Sequence, residues 1–399
     1  MTRWPVIGMY YSKFNYVSGY EKNSEHVLIN FLSRSSDIVD EECAEAITRK
    51  KNRLPAGLAA YLKERGYIFP SKHHEAALLE KLREANRKKT PGGLVIDLDS
   101  FHKHSFRNFR SDRVCPPGEP VIIYNTRLSG FTLPLGHGNR FGIRYGTVIT
   151  TADKLLSFRE MLNNGSISSL FLELYPGETQ LRLGEETESF LDSLVTEKML
   201  NVNVVVLVDS NTVPSLYRLV NYFIGNGWPF HKNFQCLLKP EPVAGCFLGY
   251  WYSSPDLMKA LFREYRLHPQ TEYCSPEKIA GVREIHAMVW TGSPPPPAAT
   301  LCESMDRLSV LSGDGTISQC LMSPLGHSGG QGWETAKDRP CMPPSSECPF
   351  MLSCGGGCQI HPQKCHCPQF GDLLELSLDY YYDELLRRSA FLEKYRESP

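Results

Sequence analysis

The cysteines are the residues of this chain whose type and spacing best suit chemistry. Eight of the thirteen cysteines lie between residues 302 and 367. They are Cys302, Cys320, Cys341, Cys348, Cys354, Cys358, Cys365 and Cys367. The run Gly355–Gly357 supplies sharp turns between neighbouring thiols, because glycine takes positive φ at little steric cost. Soft thiolate sets of this kind select zinc or iron–sulfur clusters.

A disulfide knot is the alternative explanation for so many clustered cysteines. Disulfides persist in oxidising compartments. The first residues, Met1–Gly8, lack the apolar core and small-residue cleavage site of a signal peptide. No segment approaches the ~18 consecutive apolar residues of a membrane helix. We therefore expect a cytoplasmic protein whose clustered cysteines bind a metal or a cluster.

Length and composition set the remaining bounds. A chain of 399 residues with 41% apolar residues and a mean hydropathy of −0.30 is expected to form two or three domains. A net charge of −1 gives no bulk electrostatic reason to bind nucleic acid or an anionic membrane. No phosphate-binding loop, Ser–His–Asp set or zinc-protease motif is present.

Residues 91–293 alternate between apolar strands and helical segments, which predicts an α/β fold with a partial (β/α) barrel. The clearest predicted strands are Leu94–Leu98, Leu170–Leu174, Val202–Val208 and Phe234–Leu238, with Val121–Tyr124 as a further candidate. The predicted helices between them are Lys154–Leu162, Glu188–Met199, Ser215–Ile224 and Pro255–Tyr265. The predicted domains are a small α+β leader (1–90), this barrel, a cysteine module (298–370) and a C-terminal helix (371–399).

The order of the cysteines resembles that of SPASM domains, the auxiliary-cluster modules of radical S-adenosylmethionine peptide maturases. Cys302, twelve residues and then Gly315-x4-Cys320 fit the first part of that pattern, and Cys348-x5-Cys354-x3-Cys358 fits the second. Cys367-Pro resembles the closing ligand. The sequence departs from the pattern at Ser345, where the family has a cysteine.

The resemblance implies one or two auxiliary 4Fe–4S clusters held by the eight cysteines. It implies that Cys302, Cys320 and Cys358 serve one cluster, and that a second set serves the other. The second set is Cys348, Cys354 and Cys367, with Ser345 in the fourth place. Cys341 is one candidate for the fourth ligand of the first cluster. At the second cluster, either Cys341 or Cys365 closes the site, or one iron stays open to an outside ligand. Zinc is the alternative metal for the module.

The radical-generating cluster of that family is missing here. The family places Cys-x3-Cys-x2-Cys just after its first core strand, where this chain has Ser100–Phe106 without a cysteine. His102 and His104 lie in that segment, and a His-x-His in a loop is more often solvated than a metal site. Tyr175–Thr179 resembles the Gly-Gly-Glu-Pro motif that binds S-adenosylmethionine, but only Gly177 and Glu178 match it. Cleavage of S-adenosylmethionine is therefore not expected.

These features together predict a pseudo-radical enzyme that binds iron–sulfur clusters and assists modification of a ribosomally made peptide. It would present the peptide to an active maturase or relay electrons to that maturase. Its partners would be the precursor peptide, an active radical maturase or another protein. Two alternatives stay open. The protein could be an enzyme that uses an auxiliary cluster or another metal in peptide maturation, or a zinc-stabilised structural or binding protein.

Overall fold

The computed structural model describes most of the chain. The described residues are 9–22, 25–89, 93–100, 121–126, 146–165, 167–174, 183–198, 200–241, 251, 253–297, 308–313, 315–318, 348–354 and 367–396. The chain divides into two compact units, which are treated separately below. The first unit contains residues 1–89, 280–302 and 341–399, and the second contains residues 90–279 and 303–340.

Both strands and helices are numbered in chain order. The strands are β1 (Tyr10–Tyr11), β2 (Asn15–Lys22), β3 (Glu25–Asn30), β4 (Ser35–Asp40), β5 (Ile68–Phe69), β6 (Gly93–Asp97), β7 (Val121–Asn125), β8 (Gly146–Thr151), β9 (Ile167–Leu174), β10 (Asn201–Val208), β11 (Phe234–Pro240), β12 (Cys274–Ser275), β13 (Leu308–Leu311) and β14 (Ile317–Ser318). The helices are α1 (Glu41–Thr48), α2 (Ala56–Glu64), α3 (Lys72–Lys89), α4 (Arg159–Asn163), α5 (Glu185–Thr196), α6 (Leu216–Gly225), α7 (Pro255–Leu267), α8 (Val282–Thr291), α9 (Met351–Cys354) and α10 (Cys367–Arg396).

In the first unit, β2, β3 and β4 form an antiparallel sheet, and β1 pairs with β5. The helix α1 begins at Asp40 because the carboxylate of that residue accepts a hydrogen bond from the Cys43 backbone N–H at 2.9 Å. The core beneath these elements is built from buried apolar side chains that include Leu28, Ile47 and Tyr67. These strands and helices agree with the α+β character predicted for the leader.

The predicted C-terminal helix is confirmed as α10, which begins at Cys367, earlier in the chain than the sequence indicated. Its buried side chains recur at helical spacing. They are Phe370, Leu373, Leu374, Ser377, Leu378, Tyr381 and Tyr382. This face packs against α8 and β2 within the first unit. None of the described helices has the combination of length and apolarity that crossing a bilayer requires.

The second unit is built on one nine-stranded sheet in the order β12-β11-β10-β9-β8-β7-β6-β13-β14. Every neighbouring pair is parallel except β13 and β14, which are antiparallel. Strand β10 is typical of such a sheet, because all of its residues after Asn201 are buried. Parallel strands are usually covered on both faces. The predicted α/β architecture is confirmed at this level. Strands β8, β12, β13 and β14 were not predicted.

Candidate metal centre and the carboxyl edge of the sheet

Three of the eight candidate ligands fall on described backbone in the first unit. Cys348 is half-buried and precedes α9, and its carbonyl accepts a hydrogen bond from the Met351 N–H at 3.4 Å. Cys354 is the last residue of α9, and Cys367 is the first residue of α10.

The contact between Phe350 and Phe370 brings the two cysteine-bearing segments together. The ring centroids of these residues are 4.8 Å apart, and Phe350 also lies 5.1 Å from the Tyr16 ring and 5.9 Å from the Phe31 ring. Phe350 is two residues after Cys348, and Phe370 is about one helical turn after Cys367. The aromatic cluster therefore fixes the backbones that carry Cys348 and Cys367 at neighbouring points of the first unit.

Helix α8 holds α9 from a second direction. Glu284 of α8 is 0% exposed and contacts Ser353, which is also buried. Burial raises the pKa of the Glu284 carboxyl, because removal from water disfavours its charged form. Glu284 also accepts a hydrogen bond from the Gly281 backbone N–H at 2.8 Å. The short segment between Cys348 and Cys354 is thus anchored on two sides.

The other predicted site residues lie outside the described residues. They are Cys302, Cys320, Cys341, Cys358, Cys365, Gly177, Glu178, His102 and His104. Among the described residues, no three His, Cys, Asp or Glu side chains are grouped so as to hold a metal ion. The ligand assignments therefore stay predictions.

Ser100 begins the segment in which the resemblance places the radical cluster, and its hydroxyl makes two defined hydrogen bonds. It ends a 3-10 turn that follows β6 directly. Its hydroxyl donates to the Asp97 carbonyl at 2.7 Å and accepts from the Gly313 backbone N–H at 2.8 Å. Ser100 therefore fastens the end of β6 to the turn after β13.

A polar cluster that was not predicted from the sequence lies at the carboxyl ends of β6, β7 and β8. The ammonium group of Lys154 donates to the Asn125 amide oxygen at 2.6 Å and lies 3.4 Å from the Asp99 carboxylate. Asp99 also accepts from the Thr126 backbone N–H at 2.9 Å. The Lys154 and Asp99 side chains are only 2% and 1% exposed. Buried charges require partners, and here each charged group has one. The cluster is therefore a buried hydrogen-bonded network and not a set of solvent-exposed side chains.

A second buried ion pair lies on the same edge of the sheet. Lys239 at the end of β11 and Glu173 near the end of β9 are 2.5 Å apart, with side chains 9% and 2% exposed. The pair spans β10, which lies between the two strands. Each charged residue of the two clusters stands at or just after the end of a sheet strand, but its partner lies on a distant segment, so the sequence alone did not reveal the pairing.

The same edge carries buried polar atoms that have no hydrogen-bond partner among the described residues. They are Asn125 Nδ2, Thr150 Oγ1 and Thr151 Oγ1. Asn125 and Thr150 are register partners on β7 and β8, so they face the same side of the sheet. Ligands of open α/β sheets bind outside the carboxyl ends of the strands. This edge is therefore the second candidate site of the protein.

Comparison with known proteins gave only distant likenesses. No family model and no curated protein matches the chain. Among solved structures, native anSMEcpe with bound AdoMet matches at 12% identity and a TM-score of 0.48, covering 75% of this chain and 100% of that chain. A hexahistidine-tagged form of anSMEcpe with bound AdoMet matches at 12% identity and a TM-score of 0.46, covering 75% and 96%.

A third match is native anSMEcpe with bound AdoMet and a Cp18Cys peptide. It has 12% identity and a TM-score of 0.45, and covers 75% of this chain and 99% of that chain. TM-scores below 0.5 at this identity do not establish a shared family or activity.

Proposed function

We propose that the protein binds iron–sulfur clusters through its cysteine module and assists modification of a ribosomally made peptide without generating a radical itself. The observation that carries this proposal is the Phe350–Phe370 contact, which brings together the backbone segments that carry Cys348 and Cys367. The cysteine order assigns these two residues and Cys354 to one cluster. Their segments start from neighbouring points, which is the arrangement that a shared cluster needs.

The end of β6 supports the non-radical part of the proposal. Radical generation needs three thiolates that leave one iron of a 4Fe–4S cluster open to S-adenosylmethionine. The segment Ser100–Phe106, which begins at the last residue of the turn after β6, holds no cysteine. Ser100 itself has both a donor and an acceptor contact to the backbone. Without a cluster at this position, no electron reaches the sulfonium group of S-adenosylmethionine.

The sheet of the first unit supports a role in peptide presentation. Strand β4 pairs with β3 on one side and with no other strand in the described part of the chain. An extended peptide can add to such an edge through backbone hydrogen bonds. The other edge strand, β2, packs against α10. The Glu25 carboxylate of β3 accepts a hydrogen bond from the Tyr382 hydroxyl of α10 at 2.9 Å. We therefore place the peptide along β4.

The cluster assignment predicts the metal content of the protein. After anaerobic purification, we expect iron and acid-labile sulfide with a broad brown absorbance. Cys348→Ala should lower the iron by up to one cluster per chain, because alanine removes a thiolate ligand. Cys43→Ala is the matched control, since Cys43 is buried in the first unit outside the module. Zinc without sulfide would refute the proposal and support the zinc-stabilised alternative.

Loss of the radical cluster predicts the outcome of a second assay. With dithionite and S-adenosylmethionine under anaerobic conditions, we expect no 5′-deoxyadenosine above the protein-free control. An active radical enzyme in the same reagents verifies that the assay works. Product that rises with protein concentration would contradict the proposal. It would favour the alternative in which the protein is itself a maturation enzyme.

A further inference from the structure

Two cysteines outside the module lie directly beside each other in the second unit. Cys236 on β11 and Cys274 on β12 are register partners on adjacent parallel strands. Their Sγ atoms are 2.7 Å apart, and the residues are 1% and 0% exposed. Two sulfur atoms that are not bonded to each other normally lie farther apart than this. The pair therefore differs from the buried single cysteine Cys43, which packs among apolar neighbours.

The backbone geometry suits a covalent bond between the two sulfurs. Neighbouring strands of a sheet lie about 4.7–4.9 Å apart. Disulfides form between residues whose Cα atoms are about 4.4–6.8 Å apart. The strands therefore need no displacement for the sulfurs to bond, only a small rotation of the side chains.

We infer that Cys236 and Cys274 are a redox modification site that closes to a disulfide and fastens the edge strand β12 to β11. The co-reactant is a small-molecule disulfide of the glutathione class. One thiolate attacks its S–S bond to form a mixed disulfide, and the second thiolate then displaces the remaining glutathione thiol. Two electrons pass from the protein sulfurs to the two glutathione sulfurs, which leave as two thiols with the two protons.

The position of the pair gives the bond a structural consequence. Strand β12 has only two residues and pairs with β11 at two register positions, Cys236–Cys274 and Leu237–Ser275. Its connection to the rest of the sheet is therefore weak by hydrogen bonding alone. The Tyr265 hydroxyl donates to the Cys274 carbonyl at 2.7 Å, so α7 is held to the same point. A disulfide here would stabilise both β12 and the attachment of α7.

Burial controls how the reaction starts. Removal from water and the contact with Cys274 raise the pKa of the Cys236 thiol well above its ordinary value. The thiolate is the reactive form, so closure in the intact core requires transient opening of the short edge strand. The experiment therefore oxidises the full-length chain in two ways, as the folded protein and during refolding from the reduced unfolded state.

The test is peptide mapping by mass spectrometry after oxidation with oxidised glutathione and digestion without reductant. We expect a peptide pair joined through Cys236 and Cys274, two hydrogen masses lighter than the sum of the free peptides. Fragmentation must place the link at Cys236 and not at Cys246, which lies nearby in the sequence. Cys274→Ser should abolish this link and Cys43→Ser should preserve it.

Thermal unfolding gives an independent readout. The melting temperature of the wild type and of Cys43→Ser should be higher after oxidation than after reduction. The melting temperature of Cys274→Ser should not rise on oxidation, because this variant cannot form the Cys236–Cys274 bond. Absence of the Cys236–Cys274 link in both oxidation protocols overturns the inference. Preferential pairing of Cys236 with Cys246 or with glutathione overturns it as well.

Discussion

Replacing Lys239 by methionine is expected to destabilise the second unit by about 3–5 kcal/mol, the usual cost of breaking a buried ion pair. The substitution keeps the length of the side chain but removes its charge. The Glu173 side chain is 2% exposed and lies 2.5 Å from the Lys239 ammonium group. In the variant, the buried Glu173 carboxylate loses this partner. The measurement is urea denaturation, with hydrogen exchange of the β9–β11 peptides to assign the loss to this unit.

Two variants separate the buried charge from other effects. Glu173→Leu combined with Lys239→Met removes both charges, and we expect it to recover most of the lost stability. Arg159→Ala breaks an exposed pair with Glu186, whose side chains are 42% and 69% exposed, and should cost less than about 1 kcal/mol. Equal losses for Lys239→Met and Arg159→Ala would show that burial does not govern the Glu173–Lys239 pair.

Replacing Gly281 by alanine is expected to destabilise the first unit by roughly 2–5 kcal/mol, from backbone strain and overpacking together. Gly281 begins α8 with φ of +88°, where a side chain is strained. A Cβ at this position would lie 2.7 Å from Leu373 Cβ and 2.9 Å from the Phe370 carbonyl oxygen. Both contacts are on α10, so the helices would have to move apart.

Gly292 at the other end of α8 is the matched control for Gly281. Its φ is +75°, but a Cβ there would meet no atom within 4 Å. Gly292→Ala should therefore cost only the backbone term, about 1–2 kcal/mol. Thermal and urea unfolding of the two variants compare the losses directly. If Gly292→Ala were as damaging as Gly281→Ala, close packing of α8 on α10 would not be the cause.

The Gly281 contact also connects stability to the candidate metal centre. Phe370, whose carbonyl a new Cβ would approach, is the residue whose ring packs on Phe350. We therefore expect Gly281→Ala to lower iron retention in air, while Gly292→Ala leaves it unchanged. The physical reason is that displacement of α10 moves Cys367 away from the segment that carries Cys348.

The elements with the strongest local signals were predicted correctly. The β-branched run of β10 indicates a buried parallel strand by composition alone. The apolar residues of α6 recur at helical spacing, and Leu216, Leu219, Val220 and Phe223 are buried. Strand β13, which was missed, has a weak local signal. Strand β13 contains only four residues, Leu308–Leu311, and is defined by its pairing with β6 more than two hundred residues earlier.

The buried charges illustrate the same limit in the candidate site. Lys154 falls within a predicted helix, where a lysine is expected to be exposed to solvent. In the structure it lies in a 3-10 turn, Ala152–Phe158, and is buried against Asn125 and Asp99. Those partners are on segments separated by 29 and 55 residues. No local pattern reports a contact between segments that distant.

The sequence by itself determined the chemistry that is available, namely the eight clustered thiols, the lack of cysteine in Ser100–Phe106 and the strand–helix alternation of the second unit. These are properties of residue type and short spacing, which depend only on neighbours along the chain. The tertiary structure alone decided which distant residues meet: Phe350 with Phe370, Glu173 with Lys239, and Cys236 with Cys274. Such meetings depend on strand register and helix packing, because burial of apolar surface selects them over the whole chain at once.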